Sequence, residues 1–185
     1  DDSGRRAARL AAAPSDLGAA SLTVDGHNVL LTVWNCLAGR PIVRATDGFI
    51  RDIGGTRARL PHDERFTRVA RAVCETILTL SPGTLTVLLD EPLPWSREHA
   101  AEIRTIWEEL TTAAGNPSGG SAPPAEIRTE RRVDAVVAAA TDGFIASSDT
   151  AVIDRCTAGV LDLGGLVVRS RFAVTPMEMD ELVRG

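Results

Sequence analysis

Asp25, Asp90 and Asp149 each stand at or just past the end of a short apolar run: SLTVD, TLTVLLD and GFIASSD. In an open parallel sheet, ligands bind in the crevice beyond the carboxyl ends of the strands. Three carboxylates gathered there would repel one another, and repulsion and burial both raise a carboxyl pKa. A hard divalent cation relieves that strain, because Mg2+ and Mn2+ take oxygen ligands and keep waters while using few protein carboxylates. The chemistry suggested is metal-assisted hydrolysis of a phosphodiester. Asp25, Asp90 and Asp149 are the expected metal ligands. Asp154, a turn and a half into the following helix, is the expected fourth ligand or outer partner. Each aspartate also has a plain reading, as a turn residue before Gly26, a loop residue before Glu91-Pro92, or a helix N-cap at Asp149. Three at equivalent positions favour chemistry over that reading.

The neighbours fit such a site. In VDGHN, Gly26 is read as allowing a tight turn. Asn28 is read as capping a helix and orienting a water or a ligating carboxylate, and His27 as a surface residue or one that supports a ligand rather than serving as one. A nucleic-acid substrate needs local positive charge. Residues 40–71 carry eight arginines against four acids, within a chain of net charge −5. Arg40, Arg44, Arg51, Arg57 and Arg59 are the expected phosphate contacts, and GFIRDIGGTRARL is read as a mobile loop over the site. Trp95, after EPLP, is the expected exposed stacking residue, whereas Trp34 and Trp107 are assigned to helix packing.

These residues require a scaffold of alternating strands and helices. Strands are expected at 21–25, 84–90, 125–129, 143–147 and 166–169. Helices are expected at 28–38, 63–80, 96–113, 131–141 and 149–157. In helix 63–80, Phe66, Val69, Ala70, Val73, Ile77 and Leu80 recur at helical spacing. Such alternation predicts right-handed βαβ units and a parallel sheet covered on both faces. Residues 1–20, with helical RRAARLAAA stopping at Pro14, are read as an N-terminal helical remnant or linker. The domain itself spans 21–174. A C-terminal helix is expected over 175–185, with Glu178 three residues after Thr175 as in a capping box. GNPSGGSAPP, residues 115–124, is read as a flexible loop within the domain. ATDGFI occurs at 45–50 and again at 140–145, with different flanks, and is read as coincidence.

The 185 residues suit one domain with a substantial core. No apolar run is long enough to span a bilayer, so no membrane partner is expected and the location is read as cytoplasmic. All 20 basic residues are Arg, which removes lysine chemistry. Cys36, Cys74 and Cys156 are read as buried free thiols. The chain begins at Asp1, not Met, and is read as a fragment of a longer product. Oligomeric state is left open.

VDGHNVLL resembles the first-strand motif of PIN-like nucleases of the NYN type, Asp-Gly-x-Asn followed by apolar residues. IASSDTAVIDR resembles their later motif, Ser/Thr-x-Asp leading into a helix, with Ser147 and Asp149 in the motif positions. The order DGHNVLL, LLDEP, SSDTAVID, DLGG resembles an uncharacterised prokaryotic PIN-like family over roughly residues 15–170. The resemblance implies a three-layer α/β/α Rossmann-like PIN fold with a mainly parallel sheet. It also implies an Mg2+- or Mn2+-dependent acidic site cleaving RNA, ahead of DNA. Asp25, Asp149 and Asp154 match its acidic positions. For the remaining acid Asp90 is preferred, then Asp52 or Asp47, then Glu64 or Glu75. The alternative is an inactive PIN-like module that binds RNA or a protein. A haloacid-dehalogenase-like phosphatase would need a second Asp where His27 stands. Neither a dinucleotide-binding G-x-G-x-x-G nor a hydrolase G-x-S-x-G is present.

Overall fold

A computed structural model describes residues 1–53, 59–113, 123–172 and 174–179. Five strands form one all-parallel sheet: β1 (Ser21–Asp25), β4 (Thr84–Asp90), β5 (Ala125–Glu130), β6 (Phe144–Ala146) and β7 (Gly159–Leu161), in the spatial order β5-β4-β1-β6-β7. The chain winds outward from β1 to β4 and β5, then crosses back to place β6 and β7 on the other side. The strand order therefore reverses between β1 and β6. This is an α/β three-layer Rossmann-like fold, as the strand and helix alternation predicts.

Period-2 alternation assigns each strand residue to a face. Leu22, Val24, Leu85, Val87, Leu89, Ile127, Ala146 and Leu161 join a core built with helices α2 (Gly26–Leu37), α3 (Glu64–Leu80), α4 (Ser96–Ala113) and α7 (Leu163–Arg171). Leu88, Ile145 and Val160 point the other way, to α5 (Val133–Ala138), α6 (Thr150–Arg155) and Leu10 of α1 (Asp2–Ala11). Asp25 and Asp90 share the phase of Thr23 and Leu88, so both lean toward the α5 side.

Gly26 has a different role from the one expected. It is the first residue of α2, and a Cβ there would lie 2.7 Å from the Leu88 carbonyl oxygen. The glycine lets the helix start press against β4; it does not make a turn. Cys36, Cys74 and Cys156 are free and buried, and burial pushes the Cys74 thiol up to about 12.

Two expectations about elements fail. Residues 166–169 lie in α7, and the fifth strand of the sheet is β7, seven residues earlier. Asp162 explains the shift: its carboxylate caps α7 through the Gly165 N–H and accepts the Ile50 N–H at 3.1 Å. The supposed mobile loop contains β3 (Ile50–Asp52), antiparallel to β2 (Ile42–Arg44) in a small second sheet. At the start of the stretch expected as a C-terminal helix, β8 (Met177–Glu178) pairs parallel with β2, and residues 180–185 of that expected helix lie outside the described part. Helix α1 is packed rather than trailing: Arg9 donates to the carbonyls of Ile153 and Ala158.

Candidate functional site

The reversal between β1 and β6 is bridged by side chains. Asp25 ends β1 and caps α2, accepting the Asn28 N–H on one oxygen and the Ser147 hydroxyl, at 2.9 Å, on the other. Asn28 reaches across to accept the Ser148 N–H at 2.8 Å and the Ser148 hydroxyl at 3.1 Å. Asp149 then caps α6 through the N–H groups of Ala151 and Val152. The motifs around Asp25 and Asp149, far apart in sequence, thus form one hydrogen-bonded unit at the rim of the sheet.

Asp90 reaches the same rim from β4. Its N–H donates to His27 Nδ1 at 2.9 Å, and its carboxylate lies 3.2 Å from the same nitrogen. One ring nitrogen cannot accept from the first and donate to the second together. Nδ1 accepts from the amide when it carries no proton and donates to the carboxylate when it does. His27 therefore supports Asp90 at the rim rather than standing on the open surface.

The fourth acid at the rim is Asp134, in the first turn of α5, which the spacing argument missed. That argument looked for aspartate at the last strand position, and β5 ends in Thr129-Glu130. ERRVD, with an acid four residues past the strand end, was the available signal. Burial raises the Asp134 carboxyl, and Asp149 and Asp90 raise it further. Burial pushes Asp25 up to about 7. The Ser147 hydroxyl and the Asn28 N–H oppose that rise, and Asp90 and Asp134 add to it. Among the described residues, no arginine ion pair reaches Asp25, Asp90, Asp134 or Asp149.

The other expected acids are placed elsewhere. Asp154 faces α1, where Arg6 binds it at 2.7 Å. Asp47 is buried between Arg6 and Arg51, whose hydrogen bonds and charges outweigh its burial and hold its carboxyl below the usual range. Asp52 accepts from Asn35 Nδ2, ten residues along α2 from Asp25 and so about 15 Å away by the rise of the helix. Glu75 pairs with Arg171. None of these four belongs to the rim cluster.

The expected arginine strip is also dispersed. Arg40 donates to Asn35, and Arg44 pairs with Glu178. Arg57 lies outside the described residues. Arg51 touches the rim through the Ser148 carbonyl, and Arg59 lines a small pocket with His27, Leu93 and Pro94. The arginines beside the acids are others: Arg131, Arg132 and Arg155 border a cleft of about 280 Å3 with Asp90 and Asp134. A larger cavity, about 520 Å3, lies between the end of α1, α3 and α7. Its one carboxylate, Asp162, is spent on backbone N–H groups.

The four rim carboxylates have no arginine ion pair among the described residues, and carboxylate oxygens suit a hard divalent ion. Among the described residues, no three His, Cys, Asp or Glu side chains lie close enough to hold an ion directly. The donor set therefore fits a hydrated cation held by one or two carboxylates and otherwise through water, a mode natural to Mg2+. Among the described residues no helix is long and apolar enough to cross a membrane. A family model described as Domain of unknown function (DUF5616) matches residues 14–165. No curated protein and no solved structure matches.

Proposed function

We propose, for a chain that belongs to the family described as a domain of unknown function (DUF5616), hydrolysis of phosphodiester bonds in nucleic acid, RNA ahead of DNA, at the acidic rim. The carrying observation is the unit of Asp25, Asn28, Ser147 and Asp149 at the point where the strand order reverses. That is where open α/β sheets bind ligands. The likeness of VDGHNVLL and SSDTAVID to PIN-like nuclease motifs agrees with this reading.

The residues divide the work. Ser147 and the Asn28 N–H hold the Asp25 carboxylate in one orientation. Asn28 fixes the backbone at Ser148, so Asp149 keeps its place relative to Asp25. Arg132 and Arg155 supply positive charge next to Asp90 and Asp134, with Arg131 shared with Glu91, so a phosphate can approach an otherwise repulsive pocket. A hydrated Mg2+ or Mn2+ at Asp25, Asp90, Asp149 and Asp134 would supply the charge that offsets carboxylates and phosphate together.

The test is Mn2+-dependent cleavage of single-stranded RNA and DNA oligomers by the full chain. Asp25→Asn and Asp149→Asn should each lose about 100-fold or more, a loss typical when a positioned catalytic group is removed. Asp154→Asn should stay within a few fold, because that carboxylate serves Arg6. Unchanged cleavage in both rim variants overturns the proposal. The lack of a direct three-ligand group among the described residues favours a second reading, a nucleic-acid-binding module without turnover. Tight oligomer binding with no cleavage under Mg2+ or Mn2+ would select it.

A further inference from the structure

The turn that leaves Asp90 carries an unusual surface. Trp95 is 52% exposed and its φ is +65°, a left-handed conformation that is an outlier for a bulky side chain. Such conformations cost free energy, persist only where the surroundings enforce them, and gather at ligand sites. Here the enforcement is visible. The Leu93 N–H donates to the Asp90 carbonyl, the Ser96 hydroxyl donates to the carbonyls of Asp90 and Leu93, and the His99 N–H donates to the Trp95 carbonyl at 2.8 Å.

The indole is not loose. It stacks on His62, with ring centroids 5.1 Å apart and 14° between planes. His62 tilts onto His99 at 5.6 Å, and His99 stacks on Phe66 at 3.9 Å. Four rings thus run as a column from solvent to the core. His99 is fully buried, its Nε2 pairs with the Pro61 carbonyl, and its Nδ1 has no partner among the described residues. Burial lowers the His99 pKa, consistent with a neutral ring inside an aromatic stack. Exposed Leu93 continues the surface. A small pocket lined by His27, Arg59, Leu60 and Leu93 joins it to the His27–Asp90 contact at the rim. The indole is half exposed, it is backed on one side by the His62 ring, and it lies five residues from a rim carboxylate.

We propose that Trp95, backed by His62, is a stacking site for a nucleobase of the strand whose phosphates enter the acidic rim. The inference rests on the nucleic-acid reading above and adds to it a recognition element for the base. Stacking on an aromatic side chain tolerates any base, because every base has a π-face, so the site discriminates base from no base rather than one sequence from another.

The experiment measures equilibrium binding of a short fluorescent single-stranded RNA and of an abasic sugar-phosphate oligomer of equal length. It uses the full chain, with Ca2+ as the only divalent ion to prevent turnover. The wild-type chain should bind the base-bearing oligomer about 10-fold or more tightly than the abasic one, as one base stack predicts. Trp95→Ala should erase that preference and leave abasic binding unchanged. Trp95→Phe should restore most of it. A general folding defect would weaken both oligomers alike and is thereby separated. Equal preference in wild type and Trp95→Ala overturns the inference and leaves the nucleic-acid reading standing. No binding of either oligomer by the wild-type chain overturns both.

Discussion

Burial at the end of β1 pushes the Asp25 carboxyl up to about 7, from an ordinary 3.8, so at neutral pH this side chain carries a costly charge. A folded-state pKa above the unfolded value means full stability below about pH 4, lost progressively as pH rises through 7 and constant above it. The shift is worth up to about 4 kcal/mol at alkaline pH. Asp25→Asn removes the charge and keeps an oxygen for the Asn28 N–H. It should therefore stabilise the fold by about 1–3 kcal/mol at pH 8 and leave it nearly unchanged at pH 4, as read from denaturant melts. A variant equally stable or weaker at pH 8 would contradict the electrostatic account. Sequence spacing found Asp25, Asn28, Ser147 and Asp149 because each lies in a short stretch fixed to a strand end. Asp154, Asp47 and Asp52 lie outside that group because their partners, Arg6, Arg51 and Asn35, are set by packing that spacing does not encode. Asp134 was missed because a helix turn, not a strand end, delivers it.

Helix α2 owes its position to a missing side chain. A Cβ on residue 26 would lie 2.7 Å from both the Leu88 carbonyl oxygen and a Leu89 methyl. The oxygen is backbone and cannot rotate away. Gly26→Ala should therefore push α2 off β4 and destabilise by about 1–3 kcal/mol, the range for overpacking, with a lowered denaturant midpoint at unchanged slope. A neutral outcome would mean that the helix start shifts freely, and with it Asn28. The long helices were legible: α3 and α4 were expected at 63–80 and 96–113 and occupy 64–80 and 96–113, because their apolar stripes are periodic. The edge of the sheet was not. LVVR reads as a strand by its adjacent valines, yet in α7 both Val167 and Val168 are buried, and a helix of nine residues is too short for its periodicity to overrule that reading. The twin ATDGFI stretches are instructive in the opposite sense. Gly48 and Gly143 both take positive φ and both lead into strands, one in each sheet, so the same local sequence makes the same turn in unrelated surroundings.

Across the whole molecule the charge is −5, and two groups of acids stand in contrast. Asp47, Asp63, Glu91 and Glu130 are paired with arginines that hold their carboxyls below the usual range, in each case against the opposing pull of desolvation. Asp25, Asp90, Asp134 and Asp149 have no arginine ion pair among the described residues, and Asp25 and Asp134 are raised. Four carboxylates gathered at one rim with no arginine ion pair among the described residues repel one another there. A divalent cation would relieve that repulsion, and its binding to the folded state alone must raise the melting temperature. The size of that gain depends on pH. At pH 8 Asp25 is ionised and the cation meets the full cluster; at pH 5 Asp25 is protonated and contributes no charge. Saturating Mn2+ should raise Tm by about 5 °C at pH 8, given the scaling of stability with Tm for a chain of this size, and by clearly less at pH 5. Asp25→Asn should flatten the difference between the two pH values, and EDTA should abolish the gain in the wild-type chain. Equal shifts at both pH values, persisting in Asp25→Asn, would place the cation elsewhere on the acidic surface and remove the rim from the account of function.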